Sequence, residues 1–75
     1  MMTSPEEIRR SIEAALPGAR VQVEDTTGAG DHFAVEVTAQ AFAGRTLVEQ
    51  HQLVYGALGD LMPRIHALSL RTTAP

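Results

Sequence analysis

Three histidines, His32, His51 and His66, are the side chains of this 75-residue sequence suited to proton transfer or metal binding at neutral pH without tuning by their surroundings. Cysteine is absent, so the chain has no thiol nucleophile, no disulfide framework and no thiolate of its own for zinc or an iron–sulfur cluster. His51 lies within TLVEQHQLVYGALGDLM, four residues after Leu47 and three before Val54. That spacing puts it on or beside an apolar helical stripe and predicts a boundary histidine with a hydrogen-bonded tip. His32 stands where the glycine-bearing loop DTTGAGD runs into HFAVEVT. Taken alone it reads as an exposed loop-edge residue. His66 opens IHALSLRT in step with Leu68 and Leu70. Taken alone it reads as a core histidine bonded to a backbone group.

Together, His32 and His66 are candidate metal ligands if the sheet brings them to one end. With the second and third strands as parallel neighbours, both histidines sit at the same end on strands about 4.8 Å apart. With the first strand between them, the separation doubles and a shared ion becomes harder to hold. Side-chain parity adds a conflict. Phe33 points to the core, so a strict strand turns His32 outward, while His66 shares the face of the leucines. An irregular approach at Gly30 and Asp31 would relieve it. Two imidazoles do not complete a site, since zinc takes four ligands, or three and a water. A Rieske-type [2Fe–2S] centre places two histidines on one iron and thiolates on the other. This chain holds the histidine half only.

Positioning falls to elements with legible ends. TSPEEIRRSIEAALPG predicts a helix with Ser4 as N-cap, Pro5 at the first position and Glu7 completing a capping box. Ile8, Ile12, Ala15 and Leu16 form its apolar stripe, and Pro17 and Gly18 stop it. Glu6, Glu7, Arg9, Arg10 and Glu13 form its solvated face. ARVQVED and HFAVEVT alternate as strands joined by a hairpin loop longer than a tight two-residue turn. Phe42, in the connector AQAFAGR, is expected to anchor it to the core. The second helical region has Thr46 and Glu49 as a capping box. It carries Leu47, Val54, Leu58 and Leu61 on one face, broadened by Val48, Tyr55 and Met62. Glycines 56 and 59 weaken it, predicting a break near Gly59 before Pro63 ends it. IHALSLRT is the third strand, and the tail TTAP is expected to fray. The order predicts a single α+β domain over residues 1–75, ordered over about 4–72. Its architecture is α-β-β-α(-α)-β, a three-stranded mixed sheet with helices on one face.

Composition argues against several functions. The net charge is −3, lysine is absent and the six arginines are scattered, which disfavours general nucleic-acid binding. No apolar run is long enough for a membrane span and no signal-peptide pattern opens the chain, so a cytoplasmic protein is expected. GALG, Gly56 to Gly59, has the spacing of the KH backbone clamp, but it falls in a helix and is flanked by Tyr55 and Asp60. Arg45, Arg64 and Arg71 form a small positive surface only if the fold gathers them. No nucleophile triad, carboxylate pair or phosphate loop is evident, so an enzyme is not expected. Asp31 beside His32 is in a position to tune that imidazole, although its plainer reading is a turn residue.

SIEAALPGARVQVED, the loop ending in GDHFAVEV, FAGRTLVEQHQLVYGAL and IHALSLRTTAP together resemble the BolA family, in the right order from Ile8 to Pro75. IHALSLRT is the most specific piece, resembling the terminal strand motif with its histidine. The resemblance implies a fold like the type II KH domain and a monothiol glutaredoxin as partner. In the mixed complex a [2Fe–2S] cluster is held by the glutaredoxin cysteine, a glutathione cysteine and BolA residues. Carried over, His66 is the terminal-strand ligand and His32 occupies the loop position of the second ligand. His51 matches a helix-motif histidine with no metal role assigned. The implied function is an adaptor in iron–sulfur trafficking or iron/redox regulation, with no cofactor in the isolated chain, which is expected to be a monomer or weak homodimer. The alternative is a KH-like nucleic-acid-binding transcriptional regulator using Arg45, Arg64 and Arg71.

Overall fold

The computed structural model describes residues 3–75; Met1 and Met2, the start of the expected domain, lie outside the described residues. Helix α1 spans Pro5–Ala15. Ser4 caps it, its Oγ accepting the Glu7 N–H at 3.2 Å. The reciprocal half of the expected capping box is replaced: the Glu7 carboxylate accepts the Thr3 hydroxyl at 3.2 Å and the Ser4 hydroxyl at 3.5 Å. Order begins before residue 4, because Thr3 is buried and its N–H donates to the Gly30 carbonyl at 3.2 Å. Ile8, Ile12 and Leu16 face the core, whereas Ala15, expected on that stripe, is exposed. On the outer face Arg9 and Arg10 bond Glu6, and the Arg9 hydrogen bond is the main force holding the Glu6 carboxyl below its ordinary range.

Strands β1 (Arg20–Asp25), β2 (His32–Thr38) and β3 (Ala67–Thr73) form one sheet in the order β1-β2-β3. β1 and β2 are antiparallel, from Arg20↔Thr38 to Asp25↔Phe33. β2 and β3 are parallel, from His32↔Ala67 to Thr38↔Thr73. Alternation decides the faces. Phe33, Val35 and Val37 are buried under the helices, with Val21, Val23, Leu68 and Leu70 packed around them. Gln22, Glu24, Glu36, Ser69 and Arg71 are exposed. The expected fraying of the tail does not occur in this form. The parallel ladder carries Thr72 and Thr73 into β3, the Ala39 N–H donates to the Thr73 carbonyl at 3.1 Å, and Ala74 packs against the core.

A parallel pair needs a crossover, supplied by a 3₁₀ turn at Gln40–Phe42, helix α2 (Leu47–Leu58) and a 3₁₀ segment (Gly59–Arg64). Phe42 is completely buried. Both legs of the α2 capping box form: Thr46 Oγ1 accepts the Glu49 N–H at 3.2 Å, and Glu49 Oε1 accepts the Thr46 N–H at 2.9 Å. Val54 and Leu58 enter the core beside Ile8 and Ile12. Leu47 and Val48 do not, at 61% and 66% exposed, and Tyr55 is exposed as well. Angular position on a helix predicts a shared face, but it does not supply an opposing layer for every turn. The helix breaks where expected, at Gly59, and the 3₁₀ segment takes Pro63 within it and runs one residue further.

Gly59 adopts φ 51° and ψ −120°, a region essentially closed to residues with a Cβ. A Cβ built there meets nothing within 4 Å, so strain is the only penalty. Gly59→Ala is expected to destabilise the domain by about 1–3 kcal/mol. Guanidinium unfolding followed by far-UV circular dichroism measures this, and an unchanged midpoint would refute the backbone requirement. No helix among the described residues is long and apolar enough to cross a membrane.

Candidate metal centre

The loop between β1 and β2 is built on one carboxylate. Asp25 Oδ1 accepts the N–H groups of Thr27 (3.2 Å) and Gly28 (2.8 Å), and its Oδ2 accepts that of Gly30 (3.0 Å). Gly28 and Gly30 take φ values of 80° and 78°, the left-handed conformations that let the chain curl around this acceptor. The Thr26 N–H closes the mouth of the hairpin by donating to the His32 carbonyl at 2.9 Å. β2 therefore starts at His32 from a fixed base. The start of β3 is held to the same place, because the Asp31 carbonyl accepts the N–H groups of His66 (2.8 Å) and Ala67 (3.1 Å).

These bonds bring the two rings together, with centroids 4.9 Å apart and planes inclined by 55°. Metal–nitrogen bonds of about 2.0–2.1 Å put two imidazole centroids on one tetrahedral ion about 5 Å apart, so the pair suits a shared metal. β1 does not intervene, since β2 is the central strand. The parity conflict is resolved on the His66 side. His32 keeps its strand register opposite Ala67, while His66 lies in a bend just before β3 rather than opening it. It is thus freed from the alternation that sends Leu68 and Leu70 inward. His66 is exposed, not a core histidine, and the His32 side chain retains 36% exposure. His32 Nδ1 lies 2.8 Å from Asp31 Oδ1. The hydrogen bond from His32 is the main force holding the Asp31 carboxyl below its ordinary range, and positive charge on His32 and His66 adds to it.

Among the described residues no cluster of three or more His, Cys, Asp or Glu side chains is arranged to hold a metal. A metal at the pair needs ligands from another molecule. Two imidazoles on an open rim fit that need: they are nitrogen donors, accessible, with ring centroids 4.9 Å apart.

The other expected positions lie elsewhere. His51 sits in α2 with its ring edge-on to Tyr55 at 6.3 Å. Its Nε2 is buried and has no hydrogen-bond partner among the described residues, contrary to the bonded tip expected of it. The three arginines belong to separate elements. Arg45 donates from Nε to the Ala41 carbonyl at 2.9 Å, Arg64 faces Glu7 at 3.7 Å, and Arg71 faces Glu36 at 3.7 Å on the open side of the sheet. GALG is not a loop: Leu58 is in the core, and the Ala57 carbonyl accepts the Ser11 hydroxyl at 2.5 Å. One concavity, lined by Pro17, Arg20, Thr38, Gln40 and Pro75, lies at the far end of the sheet from the histidines and brings one ionisable side chain, Arg20. Asp31 does more than serve as a turn residue: its carboxylate meets His32 and its carbonyl meets His66 and Ala67. Its adjacency to His32 was visible in the sequence, but its carbonyl contact with β3 depends on tertiary pairing.

Comparison with known proteins gives a consistent result. The profile of the family described as BolA-like protein matches residues 8–75. BolA-like protein 2 of Homo sapiens is 35% identical over 77 aligned residues, covering 100% of this chain and 90% of its own length. The structure of a bolA protein homologue from Coxiella burnetii superposes with a TM-score of 0.82 at 42% identity, covering 99% of this chain and 94% of that one. A bol-like protein from Babesia bovis superposes with a TM-score of 0.88 at 26% identity, covering 100% and 88% of the two chains.

Proposed function

The chain belongs to the BolA-like family, and from that premise we propose that it is an adaptor contributing His32 and His66 to a [2Fe–2S] cluster shared with a monothiol glutaredoxin and glutathione. The observation that carries this reading is the accessible histidine pair, 4.9 Å between centroids, in a chain without a single cysteine. The sulfur ligands come from the glutaredoxin cysteine and the glutathione thiol. Substituting neutral imidazole for thiolate raises the reduction potential of a [2Fe–2S] centre. It also makes retention sensitive to acid, because a protonated imidazole has no lone pair for the metal. Both traits suit a transfer intermediate or an iron/redox sensor better than permanent storage.

Anaerobic mixing of the chain with a monothiol glutaredoxin, glutathione, ferrous iron and sulfide tests the proposal. The expected product is a mixed complex whose visible circular dichroism differs from that of the glutaredoxin homodimer and which co-elutes with both proteins. A cluster that stays in the glutaredoxin homodimer with an unchanged spectrum, while this chain elutes alone, would overturn it.

A further inference from the structure

We propose that Asp31 is the positioning residue of the histidine pair: its carboxylate fixes His32 in the tautomer protonated on Nδ1, so that Nε2 presents the lone pair. What Nε2 then binds rests on the cluster-sharing reading, whereas the tautomer is a property of this chain alone.

The argument begins with the 2.8 Å contact between His32 Nδ1 and Asp31 Oδ1. An ionised carboxylate has no proton to donate, and an aspartate is ionised at neutral pH. The proton in this hydrogen bond therefore belongs to Nδ1. A neutral imidazole has one N–H and one lone pair, so fixing the first on Nδ1 leaves the second on Nε2. This is the reverse of the tautomer that an unrestrained histidine side chain favours. An Nε2 that carried the proton would have to release it before taking a metal. A carboxylate behind a ligating histidine removes that step, orients the ring and raises its basicity.

The main chain of Asp31 gives the arrangement its second half. Its carbonyl takes the N–H groups of His66 and Ala67, at 2.8 and 3.1 Å. One residue thus aligns the ring of His32 through its side chain and the backbone of His66 through its carbonyl. Substituting the side chain removes the first role and spares the second. The loop itself hangs on Asp25, so it survives the change.

Long-range proton–nitrogen correlation spectra of the isolated, nitrogen-15-labelled chain read the tautomer directly. In the wild type, at a pH high enough that the His32 ring is neutral, Nδ1 is expected to be protonated and Nε2 unprotonated. Asp31→Ala should move the proton to Nε2 or give a mixture. Asp31→Asn should retain the wild-type pattern, since its amide oxygen accepts the same N–H without a charge. A wild-type His32 protonated on Nε2, or an Asp31→Ala spectrum identical to wild type, would overturn the proposal. In the mixed complex with glutaredoxin, Asp31→Ala should weaken cluster retention by about 10–100-fold, with Asp31→Asn between it and wild type. If the tautomer responds as expected but wild type forms no mixed complex, the adaptor reading fails and the role of Asp31 stands. If the wild-type complex forms but the tautomer ignores Asp31, the converse holds.

Discussion

The His66→Ala variant, mixed with a monothiol glutaredoxin, glutathione, iron and sulfide, is expected to lose the spectrum of the mixed cluster while keeping its fold. His66 is exposed and lies before β3, so its removal leaves no cavity in the core. Its backbone N–H still bonds the Asp31 carbonyl, and the start of β3 keeps its anchor. Stability should therefore change by no more than about 0.5 kcal/mol, the usual range for surface substitutions. Cluster retention should fall at least about tenfold, because deletion of a ligand exceeds the typical loss on removing a residue behind one. His32→Ala should weaken the cluster similarly. The measurement is visible circular dichroism and iron content after gel filtration, alongside a thermal melt of the variant alone. A cluster spectrum identical to wild type would show that His66 is no ligand. A lost cluster accompanied by an unfolded chain would contradict the structural reading of this position.

The Phe42→Ala variant is expected to show the largest loss of stability. Phe42 has no exposed surface and packs in the cluster that joins α1, β2 and α2. Truncating a buried phenylalanine costs about 3–5 kcal/mol, combining lost transfer energy with the cavity left behind. A domain of this length has only about 4–11 kcal/mol in total. The guanidinium midpoint should fall by about a quarter or more, and a domain at the lower end of that range would be unfolded at 37 °C. Leu47→Ala, at a position 61% exposed, should change little and serves as the control for apolar truncation. Equal midpoints for Phe42→Ala and wild type would remove Phe42 from the core. The position bears on function because the crossover it pins sets β3 parallel to β2. Without that crossover, His66 has no reason to meet His32.

Local information in the chain ends where packing between distant segments begins. Ser4 and Thr46 announced helix starts correctly, because a cap is chosen within one turn of chain. The buried set Phe33, Val35 and Val37 followed from alternation, and the break at Gly59 followed from the weakness of glycine in a helix. Leu47 and Val48 misled, because periodicity specifies the side of a helix and not the extent of what it packs against. The tail misled for a related reason: nothing in TTAP encodes the ladder with β2 that orders Thr72 and Thr73. Asp31 was legible as a neighbour of His32 and as a turn residue, but not as the carbonyl that takes the N–H groups of His66 and Ala67 at the entry to β3.

Sequence alone determined which donor atoms this protein can bring to a metal, imidazole nitrogens and no thiolate, and which segments become helix or strand. Tertiary structure alone decided that the imidazoles are neighbours. Whether β2 or β1 lies beside β3 is a choice between long-range pairings. Alternating patterns say which side of a strand is buried, but they do not name the strand across from it. Placing β2 at the centre, with the bend at His66 outside the strand register, converts two histidines 34 positions apart into one pair.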